Sequence, residues 1–313
     1  MTLGKPIALR PGDRVAVVAP ASAFPVEAFL AGLGELRALG FEPAYDESVF
    51  ALDAYEAGTP QVRATALSRA LADPDISGVV CARGGYGSVK LLPLLDPDLV
   101  RSARKPIVGY SDLTSLLTFC THQCGLVAFH GPMLAGQLAR GGAGFDRTTF
   151  VRALTDARPL GELAPPQLES LAPGEATGPL HGGTLTQLVA SIGTPYAFDP
   201  PHGHVLFVED VGERPYRLDR MLTQLRLSGL LGRASAIVCG EMVECDEPGG
   251  TTTARDTLRR VLDGFPGPVL FGFPSGHTTG PAMTLPLGVQ ARVVAGTRPA
   301  LVVEEGAVEP DRR

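Results

Sequence analysis

The sequence predicts an α/β protein, with a doubly wound parallel sheet in its first half and a second α/β unit after it. Three observations carry this. Short, continuous apolar runs, of the kind buried on both faces of a parallel sheet, alternate with segments of helical periodicity. At 313 residues the chain is longer than one compact core usually requires. The alternation also lapses once, near the middle, in a Pro/Gly-rich stretch.

Taken in order, Arg14-VAVVAP reads as the first buried strand. Residues 26–39 follow as a helix, with Phe29, Leu30, Leu33 and Leu36 on one side. Thr59-Pro60 supplies an N-cap and a proline at the first helical position, and Gln61 to Ala72 continues that helix. Ile76-SGVVCA is a second strand, Gly87 to Leu95 a helix, and Pro106-IVG a third strand. Leu113 to His122 is a helix and Leu126-VAF a fourth strand. That rhythm gives βαβ units and a doubly wound, flavodoxin-like sheet over residues 1–155. Residues 156–178, mostly ARPLGELAPPQLESLAPGEATG, read as an interdomain linker. The second unit, 179–313, opens with a helix from Thr184 to Ile192 and the strand His204-VLFVED. A helix follows from Pro215 to Ser228, with Leu218, Met221, Leu222 and Leu225 at i, i+3, i+4 and i+7 and Gly229 to stop it. Ala236-IVCG, Pro268-VLFGF and Ala300-LVVEE are the later strands.

Bulk composition narrows the function. The 44% hydrophobic and 19% charged residues are those of a globular protein. A net charge of -6 with no Lys/Arg cluster argues against nucleic acid or an anionic membrane as partner. No run reaches transmembrane length and the first residues lack a signal-peptide core, so a cytoplasmic location is expected. Five cysteines are an odd count without CxxC spacing, which fits reduced, buried thiols rather than disulfides or zinc. There is no HExxH, so no metal and no cofactor are expected.

Two loops after strands carry candidate chemistry. In PIVGYSDLTSLLTFC, Ser111 follows a buried strand and precedes a helix, where open α/β sheets place their ligands. Such a serine serves either as a helix N-cap or as a nucleophile beside free helix N–H groups. G-x-S-D is not the G-x-S-x-G elbow, and the stretch alone does not choose. In CARGGYGS, Gly84 and Gly85 let the backbone approach a ligand with N–H groups outward. This is neither a Walker loop nor G-x-G-x-x-G. Arg83 is placed to grip a carboxylate or to make a surface ion pair. A serine nucleophile also needs a base and an orienting acid. Of six histidines, His277 in FPSGHTTGPAMTLPLG has the most loop-like setting, and Glu209 and Asp210 end an apolar strand together.

Taken together, ARGGYGS, GYSDLT, HGP, GGTLTQLVASIGTPY, LFVEDVGERPYRLDRML and GHTTGPAMTLPLG resemble the signature segments of the LD-carboxypeptidase family, from Val15 through Gly288. Muramoyltetrapeptide carboxypeptidases belong to that family, with microcin-immunity hydrolases as relatives. The resemblance implies a Ser-Glu-His hydrolase whose smaller C-terminal domain brings the acid and base. Ser111 would be the nucleophile, Glu209 the orienting acid and His277 the base. The Asp112 N–H and an N–H of Gly84 or Gly85 would form the oxyanion hole, with Arg83 a candidate for the substrate carboxylate. It further implies a murein tetrapeptide substrate cleaved before its terminal D-Ala in cell-wall recycling, and a homodimer. Many members carry Gly-Gly-Asn-Leu where this chain has Gly182-Gly183-Thr184-Leu185, a hydroxyl in place of an amide. The absence of Trp removes one platform for stacking a nucleobase, which weighs against a microcin-type peptide-nucleotide amide or acyl-sulfamate as substrate. A phosphate- or nucleotide-binding protein using the RGGYGS loop is the reading from another class.

Overall fold

The computed structural model describes residues 3–310. Strands β1 (Arg14–Val18), β2 (Glu42–Ala44), β3 (Gly78–Cys81), β4 (Ile107–Gly109) and β5 (Ala128–His130) alternate with α1 (Val26–Ala38), α2 (Pro60–Ala72), α3 (Pro97–Ala103) and α4 (Thr114–His122). Helix α5 (Arg147–Thr155) follows, then β6 (Gly161–Leu163), β7 (Glu169–Ala172), β8 (Gly174–Thr184), α6 (Leu185–Ala190) and β9 (His204–Glu209). The chain continues with α7 (Pro215–Leu227), β10 (Ala234–Gly240), α8 (Ala254–Val261), β11 (Val269–Phe273), β12 (Leu285–Leu287), β13 (Gln290–Ala295) and β14 (Ala300–Val303).

The first sheet has the order β12-β5-β4-β3-β1-β2. Its five parallel strands therefore run 2-1-3-4-5, the flavodoxin-like order expected from the sequence. The apolar runs responsible are buried on both faces: every residue of β3, β4 and β5 is buried. Thr59 caps α2 as expected, accepting from the Val62 N–H. In α1, Phe29, Leu33 and Leu36 face the core, but Leu30 is exposed. The segment read as a helix at Gly87–Leu95 is a 3-10 turn over Ser88–Leu94, because Pro93 has no N–H to donate and cannot continue an α-helix.

The second sheet has eight strands, β6-β14-β13-β8-β9-β10-β11-β7, with β8 to β11 parallel and the others antiparallel. By strand count it is the larger of the two. Residues 156–178, read as a linker, contain β6, β7 and the first part of β8. Strands β6 and β7 form the two edges of this sheet, and Pro173-Gly174 carries the one tight reversal, from β7 into β8. The chain also crosses back: β12 pairs antiparallel with β5 and completes the first sheet.

Strand β9 shows how the halves pack. Val205 and Phe207 belong to the core shared with the first sheet, while Leu206 and Val208 join Leu218, Met221, Leu222 and Leu225 of α7 on the other face. The period of two in β9 thus lays one face on each core, and the i, i+3, i+4, i+7 set of α7 is buried as its spacing requires. All five cysteines are buried free thiols. Among the described residues no helix is long and apolar enough to cross a membrane, and no group of three or more His, Cys, Asp or Glu is arranged to hold a metal ion.

Candidate active site

The carboxyl ends of β4, β9 and β11 deliver the candidate residues. Buried strand β4 ends at Gly109 and Tyr110 continues extended. Ser111 then turns with φ 62°. For a residue with a Cβ this left-handed conformation costs about 1–3 kcal/mol and persists only where the surroundings enforce it. The hydroxyl caps neither the 3-10 turn Ser111–Leu113 nor α4. Of the two roles open to this serine, capping is not the one its side chain fills.

The glycine loop lies directly on this turn. A Cβ at Gly84 would sit 2.9 Å from Ser111 Cβ, 3.2 Å from Ser111 Oγ and 3.4 Å from the Asp112 nitrogen. Any side chain at Gly84 would have to displace Ser111. The N–H groups of Gly84, Gly85 and Asp112 meet no backbone acceptor among the described residues. The two loops are laced together: the Ser88 N–H donates to Asp112 Oδ2 at 2.8 Å, and the Ser88 hydroxyl donates to the Asp112 carbonyl at 2.6 Å. Buried Arg63 supports the loop from below. It donates to the Pro20 and Gly87 carbonyls and pairs with buried Glu56. Arg83 is exposed and donates to the Ala23 carbonyl at 2.6 Å.

Glu209 is the last residue of β9 and is fully buried. One of its oxygens, Oε2, accepts from the His277 ring Nδ1 at 2.8 Å and from the His277 backbone N–H at 2.9 Å. The other, Oε1, accepts the Thr184 hydroxyl. It also lies 3.8 Å from Nε2 of the fully buried His130, beyond hydrogen-bond range. The backbone N–H of Thr184 donates to Thr114 Oγ1 at 3.0 Å, which ties β8 to α4. Gly276, at φ 83°, is required beside this carboxylate, because a Cβ there would fall 2.5 Å from Glu209 Cδ. The neighbouring carboxylate does something else. Asp210 Oδ2 accepts the N–H and hydroxyl of Thr186 at 2.8 and 2.7 Å, so it holds the start of α6.

These contacts set the charges. Burial alone would raise the Glu209 pKa, but the interactions with His130 and His277 outweigh it and keep the carboxyl well below its usual range. For His277 burial favours the neutral ring, yet the Glu209 hydrogen bond and charge raise its pKa above 6.5. Asp210 is pushed up to about 6, mainly by burial. An ionised carboxylate against a polarised imidazole, beside a strained serine and free N–H groups, is the equipment of acyl transfer.

Glu209 thus meets His277, and Gly84 meets Ser111. Tyr110, the residue before Ser111, packs its ring edge-on against His277 with centroids 5.0 Å apart, while no hydrogen bond joins Ser111 to His277 among the described residues. Sequence reasoning missed Arg63, whose acceptors Pro20 and Gly87 lie 43 and 24 residues away without a local signature. The HGP segment was visible as a motif, but nothing local ties its His130 to Glu209.

Residues 15–131 match the LD-carboxypeptidase N-terminal domain and residues 177–293 the LD-carboxypeptidase C-terminal domain. The chain is 40% identical over 319 residues to a putative carboxypeptidase of Streptomyces coelicolor, covering 96% of this chain and 98% of the other. It is 34% identical over 274 residues to the murein tetrapeptide carboxypeptidase of Pseudomonas aeruginosa, covering 84% and 88%. A solved structure of the microcin C7 self-immunity protein MccF with aspartyl sulfamoyl adenosine superposes with a TM-score of 0.90 at 26% identity, over 98% of this chain and 100% of that one.

Proposed function

The chain belongs to the LD-carboxypeptidase family of serine carboxypeptidases, and on that premise we propose that it releases the terminal D-Ala from murein tetrapeptides through a Ser111-Glu209-His277 triad. The observation that carries the reading is the double contact of His277 with one Glu209 oxygen, alongside a strained Ser111 pressed against Gly84.

With Nδ1 committed to Glu209, His277 has Nε2 left for the Ser111 proton. Ser111 Oγ attacks the carbonyl of the bond before D-Ala as His277 takes its proton. The N–H groups of Asp112 and of Gly84 or Gly85 receive the oxyanion. Glu209 stabilises the imidazolium, which then protonates the leaving amine of D-Ala. Water, deprotonated by the same imidazole, hydrolyses the acyl-enzyme and regenerates Ser111. Arg83, or a glycine-loop N–H not used for the oxyanion, holds the substrate carboxylate. On this reading the reaction is a step of cytoplasmic murein recycling carried out by a homodimer.

A peptide-nucleotide amide or acyl-sulfamate is the second reading, favoured by the likeness to the MccF structure. A fluorophosphonate probe, with peptide mapping of the labelled residue, tests the shared chemistry. Label on Ser111, lost in His277→Ala, is expected. An unlabelled protein that binds nucleotides tightly would favour the binding-protein reading. Turnover of an aminoacyl sulfamoyl adenosine in preference to tetrapeptide would favour the second.

A further inference from the structure

Ser111 and His277 arrive from different sheets, Ser111 after β4 of the first and His277 after β11 of the second. Each sits in a loop, so the distance between them needs something to set it. The residue just before the serine is Tyr110, and the residue just before the histidine is Gly276. A single side chain, Gln137, bonds to both. Its Nε2 donates to the Tyr110 phenol oxygen and, at 3.1 Å, to the Gly276 carbonyl.

The chemistry suits a carboxamide. A primary amide has two N–H donors on one nitrogen, and here both are used, on acceptors belonging to separate loops. A carboxylate has none to give. Burial and the Glu209 charge raise the Tyr110 pKa, so the phenol stays neutral and its oxygen is a constant acceptor. Its ring packs between the two imidazoles, at 5.0 Å from His277 and 5.8 Å from His130. Gln137 is itself buried, and its Oε1 has no hydrogen-bond partner among the described residues. A buried amide with an unsatisfied oxygen is a poor choice for filling space, which an apolar side chain does without that penalty.

The backbone beneath Gln137 adds a third connection. Leu134 N–H donates to the Cys81 carbonyl at 3.0 Å and Ala135 N–H to the Ala82 carbonyl at 2.9 Å. Those acceptors immediately precede Arg83-Gly84-Gly85. The turn carrying Gln137 is thus fastened to the root of the glycine loop, while its side chain holds the neighbours of the nucleophile and of the base.

We infer that Gln137 is a positioning residue, which fixes the approach of Ser111 to His277 and registers both against the glycine loop. The inference rests on the Ser-Glu-His reading and makes Gln137 act through Tyr110 and Gly276, without touching substrate. A misplacement of about 1 Å between reacting groups is enough to lower a rate by on the order of 100-fold.

The test is steady-state kinetics and fluorophosphonate inactivation rates for Gln137→Leu, Tyr110→Phe, the double variant and Ser111→Ala, each scaled to correctly folded protein by near-UV circular dichroism. Gln137→Leu should lose about 10- to 100-fold in kcat and in the inactivation rate, with KM within about twofold. Tyr110→Phe keeps the ring and removes one acceptor, so a smaller loss of the same kind is expected. The double variant should be no worse than Gln137→Leu alone. A purely structural role would instead lower the folded fraction or the melting temperature and leave kcat per folded molecule unchanged, which overturns the inference. If Gln137→Leu does not fold, Tyr110→Phe decides: an unchanged kcat and inactivation rate would overturn it. Ser111→Ala separates the two claims. Turnover that survives in Ser111→Ala removes the triad reading. A dead Ser111→Ala beside a fully active Gln137→Leu removes only the role of Gln137.

Discussion

His277 meets Glu209 twice on one oxygen, through its ring Nδ1 at 2.8 Å and its own backbone N–H at 2.9 Å. The first contact selects the ring tautomer, and the second fixes where the loop carrying the ring begins. A carboxylate that holds both the side chain and the main chain of a histidine leaves it little freedom to rotate. That is the requirement for a base that must present one nitrogen in one direction.

The first expectation concerns pH. In the proposed triad His277 would act as a base only when neutral, and Glu209 raises its pKa above 6.5. The acid limb of kcat/KM should therefore lie above pH 6.5. Glu209→Gln removes the charge that raises it, so the limb should move to lower pH while kcat falls by about 10³–10⁴-fold. A pH–rate profile of both proteins checks this. An unmoved limb would detach Glu209 from His277, and a comparable loss in Asp210→Asn rather than Glu209→Gln would transfer the role to the neighbour.

Gly84→Ala should disable the enzyme without unfolding it. Gly84 is not among the glycines with positive φ, so alanine adds no backbone strain, only a methyl group 2.9 Å from Ser111 Cβ. Ser111 has to shift, and a loss in kcat of about 100-fold with little change in KM is expected. A variant with wild-type kcat would mean that the glycine loop does not press on the nucleophile.

How much of this was legible beforehand differs between the levels. The parallel sheet was readable because every residue of β3, β4 and β5 is buried, and strands buried on both faces appear as unbroken apolar runs. Strands β6, β7 and β13 were not readable. β6 and β7 are the short edge strands of the second sheet, among prolines and glycines, and β13, though inside the sheet, alternates buried with more exposed residues instead of forming an unbroken apolar run. In the site, the local stretch left Ser111 between cap and nucleophile, and it was the resemblance across six segments, not the stretch itself, that named it as the nucleophile. Thr184 showed as a departure from the family pattern, but only the pairing of Thr184 with Glu209 across β8 and β9 explains it: the hydroxyl donates to the carboxylate. Arg63, His130 and Gln137 act over tens of residues or more, and no local pattern encodes such partners.

Substrate recognition gives a third expectation. Arg83 stands beside Gly84 and, with one nitrogen committed to the Ala23 carbonyl, has other donors for a carboxylate. The wild type should prefer a tetrapeptide acid over its C-terminal amide by about 10- to 100-fold in kcat/KM, which corresponds to ~1.5–3 kcal/mol for a charge-assisted hydrogen bond. Arg83→Ala should narrow that ratio by lowering activity on the acid. An unchanged ratio in the variant would leave the carboxylate to the backbone N–H groups.

Stability should also depend on pH, through histidines remote from the site. His122, His181 and His204 form a chain of ring contacts, with centroids 5.1 and 6.5 Å apart. Burial, reinforced by the neighbouring rings, lowers the pKa of His181 to about 3, and burial lowers that of His204 to about 4. The unfolded chain takes up these protons below about pH 6.5 and the folded chain does not, so this contribution is lost as pH falls. His277 and Asp210, both raised, act in the opposite sense, so the comparison is made between variants. His181→Leu should show a shallower decline between pH 7.5 and 5 than the wild type, by about 2 kcal/mol in denaturant unfolding. Parallel curves would show that His181 does not resist protonation in the folded state.

The central claim, that Ser111 drives release of D-Ala from a murein tetrapeptide, is tested most directly by mass spectrometry of a purified tetrapeptide incubated with wild type and with Ser111→Ala. The expected result is the tripeptide and free D-Ala from the wild type, in a yield that chelators do not alter, and intact tetrapeptide with Ser111→Ala. Intact tetrapeptide in both reactions, or equal D-Ala release by both proteins, would contradict it.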